Sequence, residues 1–235
     1  MTKPEEADER SAVVEVLTLE RIIMNIGVIG AGKIGGTVGV LWAKAGHLVR
    51  FGTRHQESLG PLIAEAGPNA LAGSPEEAAR FGEVVFCSVP YGAWPSLAPA
   101  LAPLVSGKAV LDSANPYPGR DGDFARAAIA AGEGSGVPVA RLLAGARLVR
   151  AFNSVYFKTL QTEAHRAGER VGIPLSGDDA AALDVAARLV RDAGFEPVVV
   201  GPLARARSFD PGTPVYNTGM NGAELARALG VARSA

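Results

Sequence analysis

The sequence predicts an α/β fold: a single, doubly wound domain built on a mostly parallel, eight-stranded sheet. Two observations carry that expectation. From Asn25 onward, short apolar runs alternate with Ala-rich stretches of helical length, the order of elements that βαβ units impose. The first of these runs opens directly into a glycine-rich turn and a helix, at Ile26-Gly27-Val28-Ile29-Gly30-Ala31-Gly32-Lys33-Ile34-Gly35. With 235 residues, 48% hydrophobic and 20% charged, the chain has ordinary globular composition and the length to bury a sizeable core.

Strand one is placed at 25–30 and its helix at 33–45, with Gly46 as the stop. Strand two follows at 48–52, a helix near 61–66 and a short third strand near 69–72. Ser74-Pro75-Glu76-Glu77 is a helix start: Ser caps, Pro suits the first helical position, and Glu77 completes a capping box. Strand four is read at 83–89, ended by Pro90, and strand five at 108–112. Strands six, seven and eight are expected at 147–152, 173–176 and 197–200, with Asp178 or Asp179 capping the helix that reaches Ala193. The loop from 115 to 124 reads as long and polar, and the Gly/Ser stretch 132–136 as a mobile surface loop. Three regions result: a flexible extension at 1–24, the folded domain at 25–208, and a tail at 209–235 bordering the substrate pocket.

Composition removes several classes of function. A formal net charge of −1 gives no field favouring nucleic acid or an anionic membrane. The lone cysteine, Cys87, sits in the apolar run Val84-Val85-Phe86-Cys87, where a small buried hydrophobe is expected. His47, His55 and His165 lack ligand spacing, so no metal site is expected. No apolar run approaches the roughly 20 residues that span a bilayer. The acidic start, with Glu5, Glu6, Asp8 and Glu9, is no signal peptide, and a cytoplasmic location is expected.

The motif at 26–35 is strand, G-x-G-x-x-G, helix, which is the Rossmann arrangement. There Gly30 permits the tight turn, Gly32 lets backbone approach a pyrophosphate, and Gly35 lets helix pack on strand. Helix N-terminal amides and dipole would hold the phosphates. Dinucleotide sites that take NAD carry an acid about 20 residues on. Here the end of strand two reads Phe51-Gly52-Thr53-Arg54-His55, without a carboxylate until Glu57. Thr53 donates a hydrogen bond and Arg54 clamps an anion, so NADP(H) is favoured; the competing reading of Arg54 is a solvated surface cation. The ends of strands four to six, Ser88-Val89-Pro90-Tyr91, Asp112-Ser113-Ala114-Asn115-Pro116 and Ala151-Phe152-Asn153-Ser154, would face the nicotinamide. Tyr91 and Trp94 either stack on a flat second substrate or anchor the following helix, and Asp112 is read as structural.

Taken together, these segments resemble the deazaflavin-dependent NADP oxidoreductase family. The resemblance runs through Gly30 to Gly36, Ala43-Lys44-Ala45-Gly46-His47, Gly52-Thr53-Arg54, Ser88-Val89-Pro90, Ala151-Phe152-Asn153, Gly177-Asp178-Asp179 and Val200-Gly201-Pro202-Leu203. It implies that Ala31, Gly32, Lys33 and Ile34 hold the pyrophosphate and Thr53 with Arg54 the 2′-phosphate. Val89, Asn115 and Ala151 would line the nicotinamide side. It further implies hydride exchange with the deazaflavin coenzyme F420, with no strong catalytic acid or base. The tail Phe209-Asp210-Pro211-Gly212-Thr213-Pro214-Val215-Tyr216-Asn217 departs from it, lacking a long apolar C-terminal helix. Two rival readings stand beside this one. The first is a reductase of another acceptor (flavin, quinone or imine), the second a non-catalytic NADP-sensing module. A small-molecule redox partner is expected, and a homodimer is left open.

Overall fold

The computed structural model describes residues 22–232. Most of the extension expected at 1–24 lies outside the described residues. The eight strands are β1 Asn25–Ile29, β2 Leu48–Gly52, β3 Ala70–Gly73, β4 Val84–Cys87, β5 Ala109–Asp112, β6 Arg147–Arg150, β7 Gly172–Gly177 and β8 Glu196–Gly201. They form one sheet in the order β3-β2-β1-β4-β5-β6-β7-β8. All neighbours are parallel except β6 and β7, which pair antiparallel. The chain therefore starts at the centre, winds outward to β3, and returns to build the other half. That reversal, between β1 and β4, is where such sheets open a crevice.

Helices cover both faces, as nearly continuous apolar parallel strands require. On one face lie α1 (Lys33–Lys44), α2 (Gly60–Ala66), α7 (Phe157–Thr162) and α8 (Ala180–Asp192), around a core containing Trp42, Phe51, Phe86, Phe152 and Phe195. On the other lie α3 (Pro75–Phe81), α4 (Trp94–Val105), α5 (Pro118–Ala131) and α6 (Gly136–Leu142), around Tyr91, Trp94 and Leu101. Two polar ties hold α8 of the first layer in place, one to α1 and one to the chain beside β1 and β2. Trp42 Nε1 donates to the Leu189 carbonyl at 2.7 Å. Buried His47 accepts from the Met24 amide through Nδ1 at 3.1 Å, which fixes Nε2–H as the donor to Asp192, also 3.1 Å away. A third, smaller core packs the tail, through Phe209, Val215 and α9 (Gly222–Leu229), against β8.

The capping box at Ser74 forms as expected: Glu77 N–H donates to Ser74 Oγ at 3.1 Å and Ser74 N–H to Glu77 Oε2 at 2.7 Å. Asp179, not Asp178, caps α8, accepting from the Ala182 amide at 2.8 Å. Two loops depart from expectation. Most of the segment read as a polar loop at 115–124 is helical, because Pro118 serves as the first residue of α5 rather than as a breaker. Gly122, at φ +64°, marks the kink. The stretch 132–136 is exposed at Gly132 but buried from Gly134 onward: Ser135 is 3% exposed and Gly136 begins α6. A Cβ at Gly136 would lie 2.7 Å from Arg150 Cγ and Cδ, so glycine there makes room for a buried arginine.

Candidate functional site

A cleft crosses the carboxyl ends of the central strands. Its inner half encloses about 400 Å³ and its outer half about 480 Å³, and Gly32, Ser88, Val89 and Pro90 line both. The inner half is made largely of backbone. Gly30 sits at φ +92°, and a Cβ there would lie 2.3 Å from the Ser88 carbonyl oxygen. At Gly35 a Cβ would meet the Gly30 carbonyl oxygen at 2.0 Å, so glycine is what lets α1 begin hard against β1. A Cβ at Gly32, by contrast, meets no protein atom within 4 Å. Gly32 is the N-cap of α1, which carries no side-chain cap and no acid in its first turn. Such a helix start, open to the cleft, presents free N–H groups and a positive dipole end to an anion.

Thr53 and the exposed Arg54 stand at the far end of the inner half, on the exit of β2. Thr53 Oγ1 accepts from the His55 amide at 3.3 Å, which leaves its hydroxyl proton available. Ser58, absent from the sequence reading, joins them, its hydroxyl donating to the His55 carbonyl at 2.6 Å. Leu62, Pro75 and Leu97 supply apolar walls. Glu57, the next acid in the sequence, turns toward His55 Nδ1 at 3.3 Å.

The outer half is held by a buried polar network. Arg150 and Asp112 form an ion pair with both side chains 0% exposed. Asp112 also accepts from the Ala114 amide at 3.0 Å, holding the loop after β5. Burial pushes the Asp112 carboxyl above its ordinary value, against the pull of Arg150. Arg150 further donates to Asn115 Oδ1 at 3.2 Å and stands 3.6 Å from Asp210 Oδ1. Asp210 brings in the tail: its carboxylate takes the Ser135 hydroxyl at 2.6 Å and the Ser135 amide at 2.9 Å. Opposite charge and these hydrogen bonds are what make such burial tolerable, although Arg150 Nε has no partner among the described residues.

At the cleft wall this network leaves one acceptor open. Asn153, 3% exposed, donates Nδ2 to Asn115 Oδ1 and Asp210 Oδ1, each at 3.4 Å. Flipping the amide would set its oxygen against two oxygens, so its orientation is fixed. Its Oδ1 is buried without a partner among the described residues. Unpaired buried acceptors are costly and point to a ligand or water donor.

The sequence-predicted residues divide accordingly. Gly30, Ala31, Gly32, Thr53 and Arg54 line the inner half, Lys33 and Ile34 the outer half, Val89 and Pro90 both. Asn115 lines the outer half, but its two N–H groups already serve the Asn153 carbonyl (2.7 Å) and the Tyr216 hydroxyl (3.3 Å). Ala151 is fully buried beneath the cleft, its amide bonded to the Asp112 carbonyl at 3.1 Å. Phe152 borders the cleft at φ +59°, yet its ring packs edge-on against Trp42 and Phe86 at 5.9 and 5.7 Å. A bulky residue in the left-handed region is uncommon; here it turns the exit of β6 between core and cleft.

Tyr91 and Trp94 do not offer stacking surfaces. Both are 0% exposed, and the Tyr91 hydroxyl donates to the Ser135 carbonyl at 2.7 Å, so they anchor the helix instead. Besides Phe152, the aromatic residues on the outer half are Tyr117, Tyr156, Phe157 and Tyr216, with Lys33 Nζ 4.6 Å above the Phe157 ring. Arg150 and Asp210 also escaped the sequence reading. Arg150 left a signal, since an arginine following Leu148 and Val149 in a strand covered on both faces needs a buried partner. Cys87 is buried, and burial followed by the Asp112 charge raises its thiol well above its ordinary value. No cluster of three or more metal-ligating side chains occurs among the described residues, and no helix among them is long and apolar enough to cross a membrane.

Comparison with known proteins agrees with this geometry. Residues 25–116 match the family described as NADP oxidoreductase, coenzyme F420-dependent. No curated protein matches the sequence. Among solved structures, a proposed F420-dependent NADP-reductase from Arthrobacter sp. FB24 is 24% identical. It superposes with a TM-score of 0.68 over 89% of this chain and 96% of its own. The hypothetical protein SMa0349 from Sinorhizobium meliloti is 26% identical with a TM-score of 0.70, over 85% and 95% of the two chains. An imine reductase from Pseudomonas sp. shares the fold at 15% identity and a TM-score of 0.58, over 81% of this chain and 59% of its own. The family match bears out the resemblance drawn from the residues and supports an NADP-dependent oxidoreductase; the structural likenesses support the Rossmann fold.

Proposed function

We propose that this protein binds NADP(H) along the whole cleft and catalyses hydride transfer between its nicotinamide and a planar redox carrier, most simply the deazaflavin coenzyme F420. The observation that carries this reading is the continuity of the cleft: one groove runs from Arg54, past the uncapped start of α1, to Asn153, whose Oδ1 is buried and without a partner among the described residues. When bound, NADPH supplies the hydride from its nicotinamide ring. The chain's own residues supply position. Backbone amides from Ala31 to Gly35 hold the pyrophosphate, with Lys33 nearby as a compensating charge. Thr53 and Arg54 take the 2′-phosphate, the hydroxyl as donor and the guanidinium as a bidentate clamp. Val89, Pro90 and the Phe152 backbone floor the nicotinamide, and Asn153 Oδ1 accepts from its carboxamide N–H. The buried Arg150 network and Asn115 keep Asn153 in register.

Hydride exchange between two flat rings requires alignment at about 3–3.5 Å. A rigid cleft with aromatic walls at its outer end provides that. The test is NADPH oxidation by purified protein with coenzyme F420, flavin mononucleotide, menadione or a cyclic imine as acceptor. Turnover fastest with the deazaflavin supports the reading. Turnover with another acceptor alone moves the substrate assignment, and NADPH oxidation with none of them removes the enzymatic reading altogether.

A further inference from the structure

The outer half of the cleft carries a feature that pure ring-on-ring alignment does not require. The Tyr117 and Tyr216 hydroxyls are hydrogen-bonded to each other, and Tyr216 in turn receives Asn115 Nδ2 at 3.3 Å. Both tyrosines line the cleft, with Tyr117 39% exposed at its mouth and Tyr216 half-buried. Because Asn115 donates to the Tyr216 oxygen, the hydroxyl protons can run in one direction, from Tyr216 to Tyr117 and from Tyr117 outward into the cleft. The pair is also braced. Asp121, with its side chain 1% exposed, accepts the Tyr117 amide at 3.0 Å and binds Arg120 through both oxygens. Arg120 in turn lies 5.0 Å over the Tyr117 ring and donates to the Asn115 carbonyl at 3.1 Å. Two elements far apart in sequence, the start of α5 and the tail, are thus held so that their hydroxyls meet on the cleft wall.

We infer that the Tyr117–Tyr216 pair is a proton relay for the second substrate, and hence that this substrate ends its reduction with a new bond to hydrogen on a ring nitrogen or oxygen. The inference rests on the reading of the cleft as a hydride-transfer site. Hydride arriving at a ring carbon of the acceptor leaves an electron pair on the conjugated heteroatom. That heteroatom takes the Tyr117 hydroxyl proton, Tyr117 recovers one from Tyr216, and solvent at the mouth restores the pair. The acceptor gains one hydride and one proton, and the donor loses the hydride. Burial first, then the neighbouring Tyr117, raises the Tyr216 hydroxyl above its ordinary value, so it stays protonated as a donor throughout the neutral range. A carbonyl-conjugated or imine-containing planar ring fits this arrangement; a carrier reduced by electrons alone does not need it.

The test compares wild type with Tyr117→Phe, Tyr216→Phe and the double variant, using coenzyme F420 and, in parallel, flavin mononucleotide, menadione and a cyclic imine. NADPH affinity, read by fluorescence, is expected to stay within about twofold, which reports an intact inner half. Affinity for the oxidised deazaflavin, read by quenching of its own fluorescence, is expected to weaken severalfold on loss of the Tyr117 hydroxyl. The rate of acceptor reduction is expected to fall about 100-fold in the double variant, the low end for a lost general acid. A solvent deuterium isotope effect on that step should accompany the wild-type reaction. Undiminished binding and rate in the double variant overturn the relay while leaving the hydride-transfer reading intact. Absence of turnover by wild type with all four acceptors overturns both.

Discussion

The two halves of the cleft are built from different materials. The inner half is largely backbone where it would meet phosphate: a glycine turn and an uncapped helix start, joined at a strand exit by Thr53 and Arg54, with apolar walls from Leu62, Pro75 and Leu97. The outer half is side chain: Asp112, Asn115, Tyr117, Ser135, Arg150, Asn153, Asp210 and Tyr216 join four separate stretches of chain, and the Asn115–Tyr216 contact spans 101 residues. A backbone site survives changes of neighbouring side chain and recognises what every dinucleotide shares. A side-chain site changes with each substitution, and that is where a choice of second substrate resides.

The largest expected effect breaks the outer half. Arg150→Ala leaves Asp112 buried without its counter-charge and releases Asn115 and Asp210. Stability should fall by about 3–5 kcal/mol, measured by denaturant unfolding. In whatever remains folded, NADPH should still be preferred over NADH, because Arg150 does not touch the inner half. A loss confined to a few tenths of a kcal/mol would show that the network is dispensable.

The next effect belongs to the inner half alone. Arg54→Ala removes a charge-assisted contact worth about 1.5–3 kcal/mol. NADPH affinity should drop accordingly, NADH affinity should hardly move, and the melting temperature should stay put because Arg54 is exposed. Equal losses for both nucleotides would remove the 2′-phosphate assignment.

The smallest effect is an acid one, and its sign differs between residues. Burial alone would raise the Asp121 carboxyl. Hydrogen bonds from Arg120 and from the Tyr117 and Gly92 amides overcome that and hold it below its ordinary value. A carboxylate depressed in the folded state stabilises it above the ordinary range, and that contribution disappears as pH falls through the folded-state value. Asp112, raised by burial, acts in the opposite sense. Hydrogen exchange, corrected for intrinsic rates, should show the Tyr117 amide keeping its protection through the ordinary carboxylate range and losing it only at lower pH. The Gly36 amide, bonded to the Gly32 carbonyl at 2.7 Å, should not respond.

The same division explains what was legible in the sequence. The places of the strands along the chain, the glycine turn and the Ser74 capping box follow from periodicity and local rules that act within a few residues. The fate of Tyr91 and Trp94 did not, because an aromatic beside a strand end looks the same whether it faces a ligand or the core. The stretch 132–136 read as a loop for its glycines, yet Gly134 leaves room for the Ala204 carbonyl and Gly136 for Arg150. Asp210 and Tyr216 sat in a tail without periodicity. Their importance appears only when the chain returns across β8 to place them against residues 75 and 101 positions earlier.

One dinucleotide is expected to occupy both halves of the cleft at once. A crystal structure of the protein with NADP⁺ tests it most directly. The predicted result places the 2′-phosphate on Thr53 and Arg54, the pyrophosphate at the start of α1, and the carboxamide N–H on Asn153 Oδ1. The nicotinamide face should then be open toward Tyr117 and Tyr216. A nucleotide bound by its adenosine half alone, with Asn153 bonded to water and the outer half closed or filled by protein, would contradict it.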